Sequence, residues 1–169
     1  MGNYLKKIDL KGLDFVSERC KNNFFDKVMP KITSLGDLGI IWLVISLLLM
    51  FRANQRDVGF KVISAILMTT LIGEGIVKNI VRRQRPFKEK EKELLISKPI
   101  TYSFPSGHTA SSFAALTIFI QMNNTVALLA APIATMIAFS RIYLRVHYPT
   151  DVIFGVILGC LCGIGVLTF

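Results

Sequence analysis

Five apolar stretches decide what this chain can become. The first is centred on Leu38–Phe51 and the second covers about Val58–Val81. The third runs roughly from Thr109 to Gln121, the fourth over about Val126–Leu144 and the fifth over Val152–Phe169. Hydrophobic residues make up 52% of the 169 positions, charged residues only 18%, and the mean hydropathy is +0.52. A soluble domain of this size cannot hide that much apolar surface in one core, so several segments must face lipid. Some of the apolar cores are shorter than the roughly 20 residues of a spanning helix. Flanking residues such as Ile32–Asp37 and the turn at Pro105–His108 are expected to extend them. The pattern predicts an all-α integral-membrane bundle of about five transmembrane helices, built as one domain over residues 1–169.

Residues 1–31 precede the bundle, which occupies 32–169. In the first of them Leu5, Ile8, Leu13, Val16 and Cys20 fall near one helical face, while Lys6, Lys7, Lys11 and Glu18 lie largely off it. That is the pattern of an amphipathic helix lying in the membrane interface, or of one folded over the protein's own surface. With charges throughout this region and no apolar run, no cleavable signal peptide is visible.

The formal net charge is +9 and the pI about 9.7. In a membrane chain such an excess points to anionic headgroups or an anionic substrate. No nucleic-acid-binding module is present, so nucleic acid is not an expected partner. Cys20, Cys160 and Cys162 lack metal-site spacing and read as small hydrophobes. The run Lys88–Glu93 alternates basic and acidic residues and reads as a solvated loop or helical turn.

Polar residues at span ends carry the functional signal, because charges at membrane depth are rare unless they line a cavity or pair. Alternating the spans places Lys78, Arg82, Arg85, Ser106, His108, Arg141, His147 and Asp151 on one side. They form three clusters. In the first, Lys78, Arg82 and Arg85 share a helical face provided the helix continues to Pro86, and a like-charged stripe needs an anion to neutralise it. Cations that merely flank a membrane helix would look the same. The second, Pro105-Ser106-Gly107-His108, is a tight turn at a helix start, where free N–H groups and the helix dipole make an anion cradle. Ser and Gly also begin many helices with no such role. In the third, His147 and Asp151 lie four residues apart around Pro149, so Asp151 is able to accept from one imidazole nitrogen and leave the other as a lone pair for a substrate. A His–Asp pair that only caps the last helix is the bland alternative. Taken together, the clusters suit a phosphate held by protein cations. No carboxylate cluster for magnesium and no His/Cys set for zinc is present, so neither a metal nor another cofactor is expected.

These residues resemble the signature of the type 2 phosphatidic acid phosphatase superfamily, K-x6-R-P, P-S-G-H and S-R-x5-H-x3-D. The matching positions are Lys78, Arg85 and Pro86, then Pro105 to His108, then Ser140, Arg141, His147 and Asp151. The N-terminal third departs from the usual six-span pattern of that family. The resemblance implies that His147 attacks phosphorus, that Asp151 fixes its tautomer, and that His108 protonates the leaving oxygen and then activates water. Lys78, Arg85 and Arg141, with Ser106 and the Gly107 amide, would bind the phosphoryl oxygens.

The implied activity is hydrolysis of a lipid phosphate or diphosphate through a phosphohistidine. Candidate substrates are an isoprenoid diphosphate, phosphatidic acid, phosphatidylglycerol phosphate and a glycolipid phosphate. The alternatives are a phosphotransferase that passes the phosphoryl group to a lipid or sugar hydroxyl, and a transporter or structural protein whose charges form a pathway. Glu74, one turn before Lys78, reads as its ion-pair partner in preference to a substrate-selecting residue. Arg82, Arg83 and Arg145 suit either a second phosphate or lipid headgroups. All but three of the 20 Lys and Arg (Arg52, Arg56 and Lys61) fall on the catalytic side. The positive-inside rule would place that side in the cytoplasm, whereas the resemblance implies an extracytoplasmic site in a multi-pass cell-membrane protein, and the latter is the expectation taken here.

Overall fold

The computed structural model describes residues 3–88 and 94–168, so most of the Lys88–Glu93 run lies outside the described residues. Every longer element among the described residues is helical. These are α1 (Asn3–Arg19), α2 (Asn23–Leu35), α3 (Ile40–Met50), α4 (Arg56–Thr70), α5 (Lys78–Val81), α6 (Gly107–Gln121), α7 (Ala127–Tyr143) and α8 (Pro149–Leu167). Each of the five apolar stretches carries a helix, as expected. By length and composition, two helices are long and apolar enough to cross a membrane, Ala53–Val81 and Pro149–Leu167. A third candidate is the pair α2–α3, bent by 47° at its break. With 15 and 17 residues, α6 and α7 are shorter.

The first span therefore starts earlier than the apolar run suggests. Residues 23–35 form a helix of their own across the boundary expected between residues 31 and 32. The break that follows has Leu38 at φ 52° and Gly39 at φ 68°. The left-handed region is unusual for a leucine, and this one is 86% exposed.

The N-terminal helix divides its apolar residues between two surroundings. Leu13 is buried, and Val16 and Cys20 pack against a cluster of Met29, Tyr143 and Val146. Leu5, Ile8 and Phe15 remain exposed on the other side. The packing of Leu13, Val16 and Cys20 agrees with the reading of a helix folded over the protein's own surface. One face rests on the protein, and the other presents apolar side chains outward, as an interfacial helix does.

At the centre stands α6, which contacts α3, α4, α7 and α8. Its Ala110, Ala114, Ala115, Ile118 and Phe119 are all buried, as expected of a helix enclosed by others. From α3, the buried Trp42 donates its Nε1–H to Ser112 Oγ at 2.9 Å, which satisfies the indole inside an apolar core. The outer faces carry the lipid-compatible side chains, among them Leu48, Phe60, Leu128 and Leu161.

The tightest packing is between α6 and α8. A Cβ on Gly155 would lie 2.8 Å from the Ser106 carbonyl oxygen, one on Gly163 would lie 2.8 Å from Thr117 Cβ, and one on Gly159 would collide with the Ala110 carbonyl oxygen. Small residues at intervals of four let two backbones approach closely, which is how helices associate where lipid removes the hydrophobic drive. This stripe went unnoticed in the sequence. Replacing Gly159 with valine is expected to destabilise the protein by about 1–3 kcal/mol. The readout is the thermal midpoint in detergent, with Gly75→Ala as the control because nothing lies within 4 Å of a Cβ there. Equal midpoints for the two variants would contradict the close approach.

Candidate active site

A cavity of about 770 Å³ opens at the end of the bundle where α5, α6 and the α7–α8 connection meet. His108 and His147 both line it, together with Lys78, Arg85, Arg141 and Gly107. On the side toward α3 and α4 the wall becomes apolar, with Leu43, Ile66 and Leu67.

The first cluster reaches the cavity by a different route from the one expected. The long second-span helix passes through a π-helical turn at Leu71–Val77, resumes as α5 and stops at Val81. Arg82 is left-handed at φ 48° and exposed, so the helical stripe of Lys78, Arg82 and Arg85 does not form. Lys78 and Arg85 converge instead because the chain turns back, and both are buried at 5% and 3% exposure. Each holds on to Thr101, which the sequence reading missed. Lys78 Nζ donates to its hydroxyl at 3.3 Å, while Arg85 donates to its carbonyl at 2.8 Å and its hydroxyl at 3.1 Å.

The second cluster starts α6. The peptide before Pro105 is cis, and the buried Ser106 N–H donates to the Asp151 carbonyl at 3.1 Å. Ser106 Oγ accepts from Thr109 at 2.9 Å, and Ser106 does not line the cavity. Gly107 does, and any Cβ there would strike Glu74 Oε1. The same carboxylate pairs with Lys78 Nζ at 2.6 Å, as the sequence suggested. Glu74 thus puts an anionic oxygen beside the lysine and over the start of α6, where an anion is favoured. π turns are frequent at functional sites, and this one sets the register that brings Glu74 and Lys78 to the cavity.

At the second residue of α6, His108 Nε2 pairs with Asp37 Oδ1 at 2.8 Å. Asp37 sits in the break between α2 and α3, and a Cβ on the preceding Gly36 would lie 2.9 Å from His108 Cδ2. The Gly36–Asp37 segment, just before the left-handed turn, therefore packs straight onto the histidine. Nothing in the sequence linked residues 71 positions apart, and only the tertiary fold reveals the pair.

In the third cluster, Arg141 is buried at 4% exposure and donates Nη1 to the Thr33 hydroxyl, while its Nε has no hydrogen-bond partner. A buried guanidinium donor without an acceptor favours an anionic ligand. His147 is 1% exposed, and its Nε2 lies 3.1 Å from Arg85 Nη1. Guanidinium groups only donate, so Nε2 carries the lone pair and Nδ1 the proton. Nδ1 faces Asp151 Oδ2 across 3.6 Å, longer than a hydrogen bond, and makes none. The direct His147–Asp151 hydrogen bond expected from the spacing is therefore absent. The carboxylate is engaged elsewhere, by Arg83 at 2.6 Å, by the Tyr148 N–H at 2.9 Å and by the Ser103 hydroxyl. Burial, followed by the charges of Arg141, Arg85 and Lys78, holds the imidazole well below its ordinary pKa. This favours the neutral imidazole, the form a nitrogen nucleophile needs.

Of the outer arginines, Arg83 binds Asp151 and Asp9, and Arg145 binds Asp14 at 3.2 Å. Among the described residues, no group of three or more His, Cys, Asp or Glu side chains is arranged to hold a metal ion. If Glu74 competes for the anion position, Glu74→Gln should bind inorganic phosphate about threefold more tightly, the scale of a partly exposed ion pair. Titration calorimetry on the purified protein reads this, and weaker binding would show that Glu74 supports the site instead.

The chain is similar in sequence and fold to known proteins. Residues 58–169 match the model of the PAP2 superfamily, a segment that contains all three motifs. An undecaprenyl-diphosphatase of Sulfolobus acidocaldarius is 31% identical over 121 residues, which cover 70% of this chain and 58% of that protein. A decaprenylphosphoryl-5-phosphoribose phosphatase of Mycobacterium tuberculosis is 33% identical over 133 residues, covering 78% of this chain and 73% of the relative. The crystal structure of a transmembrane PAP2-type phosphatidylglycerolphosphate phosphatase from Bacillus subtilis superposes with a TM-score of 0.80 at 25% identity, covering 99% of this chain and 87% of that one. By motif, by family model and by fold, the chain belongs to the PAP2 superfamily.

Proposed function

We propose that this protein is a multi-pass membrane phosphatase, in one domain, that hydrolyses a lipid phosphate or diphosphate without a metal. A polyprenyl phosphate or diphosphate is the preferred substrate class. The observation that carries the reading is the cavity shared by His108, His147, Lys78, Arg85 and Arg141. The polyprenyl preference is supported by the two relatives above, both named for polyprenyl substrates.

Lys78, Arg85 and Arg141 grip the non-bridging oxygens, with the Gly107 amide at the start of α6. A dense cation cage suits phosphoryl transfer, which needs positioning and charge stabilisation more than covalent help. Ser106 holds the turn through Thr109, and its hydroxyl joins the oxygens only if it rotates. His147 Nε2 forms a bond to phosphorus as the bond to the leaving oxygen breaks, and His108 gives that oxygen a proton. Asp151 lies behind the ring and stabilises the imidazolium that forms. His108, now a base, takes a proton from water, whose oxygen attacks phosphorus. The N–P bond breaks, and inorganic phosphate leaves. In this scheme Asp37 orients His108.

His147→Ala should leave a folded protein whose phosphate release falls by a factor on the order of 10⁶, the scale seen when the nucleophile of a cooperating unit is removed. Phosphate release from polyprenyl diphosphate in detergent, with and without a chelator, is the measurement. Turnover near wild type in His147→Ala, or loss of wild-type activity on chelation, would refute the mechanism. Phosphate release that requires an added lipid or sugar hydroxyl would favour a phosphotransferase.

We place the site on the extracytoplasmic face, since the cations that argue otherwise include those the phosphate requires. The exposed Lys98 lies on that side. In a cysteine-free background, Lys98→Cys should react with a membrane-impermeant maleimide on intact cells, and labelling only after lysis would reverse the orientation.

A further inference from the structure

On α1, among lysines, Asp9 is fully buried. A carboxylate that deep is costly unless it is paired and hydrogen-bonded, and its partners are specific. Oδ2 accepts from Arg83 Nη2 at 2.5 Å and from the Thr150 hydroxyl at 2.7 Å, while Oδ1 accepts from the Thr150 N–H at 2.9 Å. Thr150 is the second residue of α8, where backbone N–H groups lack partners within the helix. Asp9 thus supplies, from another helix, the anion that the positive end of α8 favours.

Arg83 carries the connection inward. Its Nη1 donates to Asp151 Oδ1 at 2.6 Å and to the Thr150 hydroxyl at 2.8 Å, and its guanidinium lies 3.9 Å from the Tyr148 ring centroid. The rigid fork of one arginine bridges two buried carboxylates, a task a lysine cannot perform with the same geometry. The approach of α1 is built into its sequence, because a Cβ on Gly12 would lie 2.8 Å from Pro149 Cγ. With Oδ1 held by Arg83 and Oδ2 by Ser103 and the Tyr148 N–H, the plane of Asp151 is fixed and Oδ2 faces His147.

We infer that Asp9 and Arg83 are positioning residues of the active site, which orient Asp151 behind His147, so that the N-terminal helix takes part in catalysis as well as in anchoring. For its effect on turnover this rests on the phosphatase reading; the geometry of the link does not. A cap that only stabilised α8 would affect folding and leave the reaction alone, and the experiment separates the two.

Asp9→Asn keeps the shape of the side chain and removes its charge. The control is Asp14→Asn, which weakens the contact of the same helix with Arg145. In folded, purified protein, Asp9→Asn and Arg83→Gln should lower kcat about 10–100-fold with KM within about twofold, the range for residues that orient a functional group from behind. Asp14→Asn should stay within about twofold of wild type. The double variant should be no slower than Arg83→Gln alone, since the two act through one link. Wild-type kcat in Asp9→Asn, or an equal loss in Asp14→Asn, would overturn the inference. The second readout needs no turnover. The chain has two histidines, so a His108→Gln background leaves His147 as the sole imidazole signal in a nitrogen-15 NMR spectrum. That signal should move in Asp9→Asn and stay put in Asp14→Asn, and an unmoved signal in Asp9→Asn would also overturn it. Absence of turnover in wild type, with the signal moving as expected, would defeat the phosphatase reading and leave the positioning intact.

Discussion

Three cations confined to one cavity, each at or below 5% exposure, set the terms for the rest of this molecule. Lys78, Arg85 and Arg141 repel one another, and each has lost most of its water. The surrounding structure answers with fixed dipoles and carboxylates. Thr101 takes hydrogen bonds from two of them, Thr33 from the third, and Glu74 pairs with the lysine. Such an arrangement is tolerable without ligand and improves when an anion enters, which is the electrostatic preorganisation that phosphoryl transfer calls for.

A second constraint follows from the first. If charge repulsion tends to spread the site, something must hold its parts together. The contact between α6 and α8 does so at Gly155 and Gly159, which lie against backbone carbonyl oxygens, and at Gly163, which lies against the Thr117 side chain. His108 rides on α6 and Asp151 on α8. The Ser106 N–H also bonds to the Asp151 carbonyl, so the turn that begins one helix is tied to the first turn of the other.

Much of this was legible in the sequence, and the limits have physical causes. The motif residues could be read because their chemistry is out of place among apolar spans, and the helices could be read from hydropathy. Sequence periodicity failed at Arg82, where an ideal helix was extended through a left-handed residue that nothing local announces. It failed again at the His147–Asp151 hydrogen bond, because four-residue spacing says the groups are near and not which donors reach the carboxylate first. Asp37, Thr101 and Asp9 were invisible for a third reason. Each is an ordinary polar residue that acquires meaning only through a partner far along the chain. Arg83 was weighed as a contact for phosphate or headgroups, and its guanidinium is already committed to two carboxylates.

The bend between α2 and α3 bears on how a substrate with a long hydrocarbon tail reaches a buried phosphate site. The cavity wall on that flank is apolar, formed by Leu43 with Ile66 and Leu67, and it adjoins the Leu38–Gly39 turn. Farther along, α3 and α4 are in close contact, since a Cβ on Gly59 would lie 2.6 Å from the Ser46 carbonyl oxygen. On the proposed phosphatase reading, a tail would lie along this apolar wall while its headgroup reached the two imidazoles. Selection among amphiphiles would then depend on how far the phosphate projects from its tail, so that chain length would matter less than the reach of the head.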